Sequence, residues 1–253
     1  MNVKTLICHY NYTNFLKRSL ESAKNQTYKK NSICLVDDFS NDQDLVLSIF
    51  EEVFGEPINA EFSKEYKALY FNDDNMCILL NKNGGPSRSR NFGIELNKHN
   101  VDFFAILDAD DEMIPEKIEE LIKPFVIYGD HIGVTYGDYL IKNEKGYITK
   151  EFKRPFDINL LYKECIVHSG ALISNKALQK VKTKYGYYDE RFRVCEDYQL
   201  WLKICQLYMI FHVPKILTTV NDHSNNSTNT VSKESWQEHW SKLRESLNEN
   251  SVQ

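Results

Sequence analysis

Two groups of carboxylates, a pair and a trio, stand where apolar runs stop. Asp37-Asp38 follows Ser32–Val36, and Asp108-Ala109-Asp110-Asp111 follows Phe103–Leu107. A third acidic group, the pair Glu196-Asp197, opens a helical stretch. Acidic side chains gathered in one place repel unless a cation sits among them or one is protonated. Hard oxygen donors of this kind suit Mg²⁺ or Mn²⁺ rather than zinc or copper. Such an ion is commonly held by one or two carboxylates and completed by substrate phosphates, so the combination predicts a nucleotide diphosphate ligand. The Asp-x-Asp spacing at 108 and 110 is the sharpest of these signals. A lone strand-end Asp such as Asp38 or Asp111 is more often a turn or a cap.

The elements that must position these residues read as an α/β chain. Strands are expected at Val3–His9, Ser32–Val36, Met76–Leu80 and Phe103–Leu107. Helices are expected from Thr13 or Asn14, from Asp44 to Phe54 behind an Asn41 or Asp42 cap, from Pro86 to Asn97, and from Pro115 to Tyr128. This order implies a mainly parallel central sheet flanked by helices, with ligands outside the carboxyl ends of the strands. Residues 55–75 are less regular, with a hairpin in Asn59–Phe71. The second half suggests a hairpin around Asn143–Lys145, a short strand at Gly170–Ile173, and a helix over Tyr198–Leu207. Strands at Ile210–Val213 and Ile216–Val220 precede a mobile polar loop at Asn221–Asn229. Trp236, Trp240, Leu243 and Leu247 form the stripe of a C-terminal amphipathic helix, expected to pack on the domain rather than to mediate self-association. The expected division is 1–222 as one catalytic domain, split into nucleotide-binding (1–111) and acceptor-side (112–222) halves, then loop and helix over 223–253.

Composition narrows the classes. With 253 residues the chain can bury a large core without disulfides. Its six cysteines show neither CxxC spacing nor a zinc cluster, which points to a reducing, cytoplasmic setting. No apolar run reaches the length of a membrane span, and the first residues lack a signal peptide's apolar core. A net charge of −5 argues against a nucleic-acid-binding protein. Between Lys142 and Lys184, however, ten Lys/Arg stand against four Asp/Glu. That local excess suggests an anionic acceptor: a phosphorylated lipid carrier, an acidic saccharide or, at the limit, nucleic acid. A dehydrogenase is disfavoured, since no GxGxxG follows a strand. A sugar nucleotidyltransferase would want a glycine-rich basic loop in Cys8–Phe15, where none exists.

Seven motifs, in order, carry a resemblance over Val3 to Ser227. They are Tyr10-Asn11, Asn25-Gln26-Thr27-Tyr28, Val36-Asp37-Asp38-x-Ser40-x-Asp42 and Asn83-x-Gly85-Pro86-Ser87-x-Ser89-Arg90-Asn91-x-Gly93. Then come Leu107-Asp108-Ala109-Asp110-Asp111, Tyr188-Asp189-Glu190-x-Phe192 and Glu196-Asp197-Tyr198-x-Leu200-Trp201. Together they resemble the inverting glycosyltransferase family 2, whose fold is GT-A. The resemblance implies a metal-dependent transferase using a nucleotide diphosphate sugar, UDP-linked by default. Tyr10 and Asp38 would meet the base and ribose, with Asp37 beside them and Arg90 near the nucleotide. Asp108 and Asp110 would bind Mn²⁺ or Mg²⁺, Asp110 directly. Asp197 would be the general base, with Glu196 as the alternative and Asp189 a weaker one. His223 could complete the metal shell or touch the diphosphate, and His168 lies where an acceptor could bind. Cys8-His9 replaces the family's usual Pro-Thr, and Tyr12 its usual Arg. The processive members' Gln-x-x-Arg-Trp motif is absent, so a single-addition enzyme is expected. A degenerate, non-catalytic binding module is the alternative; it would show damaged acidic clusters, and these are intact.

Overall fold

A computed structural model describes the backbone of residues 1–251; the side chains at 227, 228 and from 244 onward lie outside the described residues, and with them Leu247 of the C-terminal stripe. The strands are β1 (Val3–His9), β2 (Asn31–Asp37), β3 (Asn59–Phe62), β4 (Tyr66–Tyr70), β5 (Met76–Leu80), β6 (Phe103–Asp108), β7 (Glu112–Met113), β8 (Ile132–Asn143), β9 (Ile148–Glu151), β10 (Leu172–Ser174) and β11 (Met209–Asp222). The helices are α1 (Thr13–Lys24), α2 (Gln43–Phe54), α3 (Pro86–Asn97), α4 (Lys117–Tyr128), α5 (Ile158–Leu161), α6 (Asn175–Tyr185), α7 (Glu196–Ile204), α8 (Ser227–Thr230) and α9 (Lys233–Ser251).

All described strands join one sheet in the order β3-β4-β5-β2-β1-β6-β10-β8-β11-β7, with β9 added to β8. The block β5-β2-β1-β6 is parallel throughout. Successive strands leave β1 in opposite directions, so β1 and β6 flank a topological switch point, where a crevice opens beyond the carboxyl ends. Each strand of this block is apolar on both faces. On β6, Phe104 and Ile106 enter one core cluster, while Phe103, Ala105 and Leu107 enter the other. Burial on both sides explains why these segments read as unbroken apolar runs. Gly93 of α3 lies so close to β1 that a Cβ there would come within 2.2 Å of Leu6 Cδ1.

Beyond the parallel block the sheet is mixed. The irregular 55–75 segment forms the β3–β4 hairpin, and β4 extends the sheet antiparallel to β5. Strand β10 is short and inserts antiparallel between β6 and β8. The two strands expected around Pro214 are one strand, β11, whose register shifts between Val213 and Ile216. Pro214 has no N–H to pair, so the chain bulges there instead of ending. Helix α1 begins at Thr13 without a side-chain cap, whereas Asp42 caps α2 by accepting the Leu45 N–H at 2.9 Å. Helix α4 starts at Lys117, two residues after Pro115, and α7 starts at Glu196, two residues before the expected Tyr198. The polar segment from Asn221 is tied down rather than loose. Asn221 continues β11, and His223 is 5% exposed.

The C-terminal helix packs on the domain. Leu243 enters the core, and Trp240 meets Tyr198 edge-on at 5.5 Å between ring centres. No described helix is long and apolar enough to cross a membrane. All six cysteines are unpaired.

Candidate active site

The strand ends converge on a cleft of about 540 Å³, within the usual size range of small-molecule sites. Its walls carry Tyr10, Asp38, Arg90, Asp108, Asp110 and the pair Glu196-Asp197. Asp37 is the exception among the expected nucleotide contacts. It is fully buried and turned away from the cleft, accepting from His9 Nδ1 at 2.7 Å, Ser40 Oγ at 2.5 Å and Gln43 Nε2 at 2.8 Å. Burial alone pushes its carboxyl up, but these donors outweigh it and hold the group below the usual carboxylate range. His9 also accepts the Tyr12 N–H at 3.0 Å, which fixes the proton on Nδ1. The departure from the family's Pro-Thr therefore has a local purpose: His9 and Asp37 clip the ends of β1 and β2 together.

Asp38 organises the next wall. Its carboxylate accepts from Asn83 Nδ2 at 2.8 Å, Gly84 N at 2.9 Å and Gly85 N at 2.7 Å. Gly85 has φ +86°, a left-handed conformation that glycine adopts without strain, and the following Pro86 is the first residue of α3. Arg193, which sequence reasoning did not single out, lies against this turn and donates to Asn83 Oδ1 at 3.2 Å.

Helix α3 then grips the segment that presents the third acidic group. Ser87 Oγ donates to the Phe192 carbonyl at 2.9 Å, and Asn91 exchanges two hydrogen bonds with the Tyr188 backbone at 2.9 and 3.1 Å. Arg90, 4% exposed, donates to Asp108 at 2.9 Å and pairs with Glu196. Burial works against its charge, yet the two carboxylates outweigh it and strengthen its hold on the proton. Asp197 follows, partly open to the cleft. Cys195 before the pair is left-handed at φ +62°, a strained conformation of the kind that collects at functional sites. Burial, followed by the neighbouring Glu196 charge, pushes the Asp197 carboxyl up to about 7. Asp189 is elsewhere: its carboxylate is forked by Arg191 at 2.6–3.0 Å, outside the cleft lining.

The acidic turn after β6 is clamped between distant strands. The Asp111 N–H donates to the Asp108 carbonyl at 3.0 Å, and β7 pairs with β11 immediately afterwards. That pairing delivers His223 from the end of β11, its Nε2 3.1 Å from Asp110 Oδ2. Phe15 stacks on the His223 ring at 4.4 Å, and Asn226 Nδ2 donates to the same Asp110 oxygen at 3.3 Å. Burial and then the Asp108 charge raise Asp110 above the usual carboxylate range. Asp111 rises further, from burial first and then from Asp110. Asp108 is engaged by Arg90 and by Ser169 Oγ at 3.1 Å. Among the described residues, no three His, Cys, Asp or Glu side chains are drawn around one point. A divalent ion would still find carboxylate oxygens at this turn. Asp110 offers an oxygen beside His223, whose Nδ1 accepts the Asn225 N–H at 3.2 Å and whose Nε2 would give up its proton to bind an ion, and six carboxylates against two arginines line a cleft whose excess charge a cation would relieve.

His168 is also in the cleft wall, tilted against Tyr139 with ring centres 4.5 Å apart; burial, then the charges of Lys117 and Lys153, push its imidazole well below the usual range. None of the ten cations between Lys142 and Lys184 lines the cleft. Lys176 and Lys182 of α6 pair instead with Asp130 and Glu95.

A parallel block with its switch-point cleft, an acidic turn at one strand end and a glycine turn opening a helix define the GT-A class. The chain belongs to glycosyl transferase family 2, whose family model matches residues 5–182. It is 27% identical to an uncharacterized glycosyltransferase of Rickettsia typhi over 237 residues, covering 90% of this chain and 66% of that protein. It is 25% identical to the chondroitin synthase of Pasteurella multocida over 257 residues, 99% of this chain but 24% of that one. The chain thus spans two thirds or less of these relatives. Among solved structures, S. aureus TarS 1-349 in complex with UDP-GlcNAc superposes with a TM-score of 0.66 at 18% identity, over 92% of this chain and 62% of that one. The UDP complex of the same fragment gives 0.62 over 88% and 61%.

Proposed function

We propose that this chain is an inverting glycosyltransferase that moves a sugar from a UDP-linked donor to an acceptor hydroxyl by a single displacement. The observation that carries the reading is the division of labour in the third acidic group: Arg90 engages Glu196, while Asp197 faces the cleft with its carboxyl near 7. A base tuned close to neutrality can take the hydroxyl proton as the oxygen attacks the anomeric carbon. The C1–O bond to the diphosphate breaks as the new C1–O bond forms on the opposite face, and the proton ends on Asp197.

The nucleotide would lie along Tyr10 and the Asp38-organised Asn83–Gly85 turn. TarS, with the same fold, has been crystallised with UDP and with UDP-GlcNAc, which supports this choice of donor. Asp110 and His223 would hold Mn²⁺ or Mg²⁺, which neutralises the charge on the diphosphate leaving group. Arg90 and Ser169 keep Asp108 oriented at the same strand end. The test is a donor screen with Mn²⁺ present, on wild type and Asp197→Asn. The variant should bind donor like wild type and lose transfer; a variant that transfers at the wild-type rate removes Asp197 from this role.

A further inference from the structure

Helix α9 brings an aromatic side chain to the cleft that none of the family motifs includes. Three neighbours on this helix are spent on anchoring it: His239 accepts the Arg193 N–H at 3.2 Å, Trp240 packs on Tyr198, and Leu243 is 1% exposed in the core. Trp236 lies one turn earlier, half-buried, and lines the same cleft as Arg193, Val194 and Asp197. Among the described residues, His239 and Trp240 hold α9 to the 192–198 segment, so the indole is positioned relative to the base. The nucleotide turn at Asn83–Gly85 is held separately, by Asp38.

We propose that Trp236 is the acceptor platform, and that the acceptor presents its attacking hydroxyl on a saccharide ring. A pyranose has a flat face of C–H groups that an indole covers, while its rim of hydroxyls stays free to meet polar groups. A rigid aromatic at this place orients the ring at little entropic cost and sets which ring hydroxyl reaches Asp197. The proposal rests on the transferase reading and adds the acceptor class and the residue that selects it.

Methyl β-glycosides of glucose, galactose, N-acetylglucosamine and N-acetylgalactosamine serve as probes in two assays. In the first, they are acceptors with UDP-sugar and Mn²⁺. Trp236→Ala should raise the acceptor KM about three- to tenfold and leave the donor KM within about twofold, with Trp236→Phe recovering most of the loss. In the second, intrinsic fluorescence is followed during glycoside titration without turnover. Wild-type emission should change, and the change should disappear in Trp236→Phe. An unchanged acceptor KM, or saccharide titrations that leave wild-type emission flat, overturns the platform even if donor cleavage proceeds. A Trp236-dependent change with no donor cleavage by any sugar nucleotide keeps the platform and removes the transferase reading.

Discussion

Arg90 holds Glu196 in a buried ion pair across the cleft floor, joining α3 to the first turn of α7. The same guanidinium reaches Asp108 at the end of β6. One side chain therefore ties the acidic strand end to the segment that presents Asp197. Arg90→Ala leaves two carboxylates facing each other without compensation. A loss of about 3–5 kcal/mol is expected for breaking such a pair. Thermal melts should show a large drop in Tm, and Arg90→Lys should recover only part of it, because an ammonium cannot fork between two carboxylates. A variant that melts with wild type would show that this pair does not hold the site together.

The raised Asp197 carboxyl has two consequences for pH, of opposite sign. For catalysis, kcat/KM should rise through about pH 7 as the base ionises, and the rising limb should vanish in Asp197→Asn. For stability, the native state keeps a proton that the unfolded chain has released above its ordinary value of 3.8. This contribution is therefore complete below about 4 and is lost as pH rises through about 7. Asp197→Asn should flatten that part of the Tm-versus-pH curve. A pH–rate profile with no limb near 7 in wild type argues for a different base.

On the proposed reading, Asp110 and His223 would act through an added cation. A thermal shift with UDP should be larger with Mn²⁺ than with EDTA, because a ligand confined to the folded state raises its apparent stability. Asp110→Ala should abolish the difference, and His223→Ala should reduce it. Equal shifts with Mn²⁺ and with EDTA in wild type would exclude this pair as ion ligands.

His9 and Asp37 make a structural prediction. Asp37→Ala removes the acceptor of four hydrogen bonds and leaves the buried His9 Nδ1–H without its carboxylate. The expected destabilisation is about 1–3 kcal/mol, seen as a lower denaturant midpoint. Donor KM should rise as well, since Tyr10 follows the strand end that the clip secures. An unchanged midpoint would mean that the β1 and β2 ends hold without it.

Much of the parallel block was legible because its strands are buried on both faces and its helices begin at Pro86 or behind Asp42, signals that lie within a few residues of each other. The acidic ends of β2 and β6 were legible for the same reason. What could not be read were arrangements made by contacts far apart in the chain. Asp37 and Asp38 are adjacent and chemically identical, yet alternation along the strand sends one inward to His9 and the other to the cleft. The resemblance implied His223 near the Asp108–Asp110 turn, but the pairing of β7 with β11 that brings it there is not marked by any spacing in the chain. Arg193 and Trp236 enter the cleft through the packing of α9 on Phe192 and Tyr198, and no spacing in the sequence signals that approach. The unbroken β11 was hidden by Pro214, a breaker that the sheet absorbs as a bulge.

The most direct test of single displacement at this site is the anomeric configuration of the sugar first released from UDP-α-GlcNAc by the protein with Mn²⁺, with water as acceptor, followed by proton NMR before mutarotation. Attack opposite the leaving diphosphate predicts the β anomer in wild type and loss of the signal in Asp197→Asn. Early accumulation of the α anomer by wild type would contradict displacement by an Asp197-activated hydroxyl.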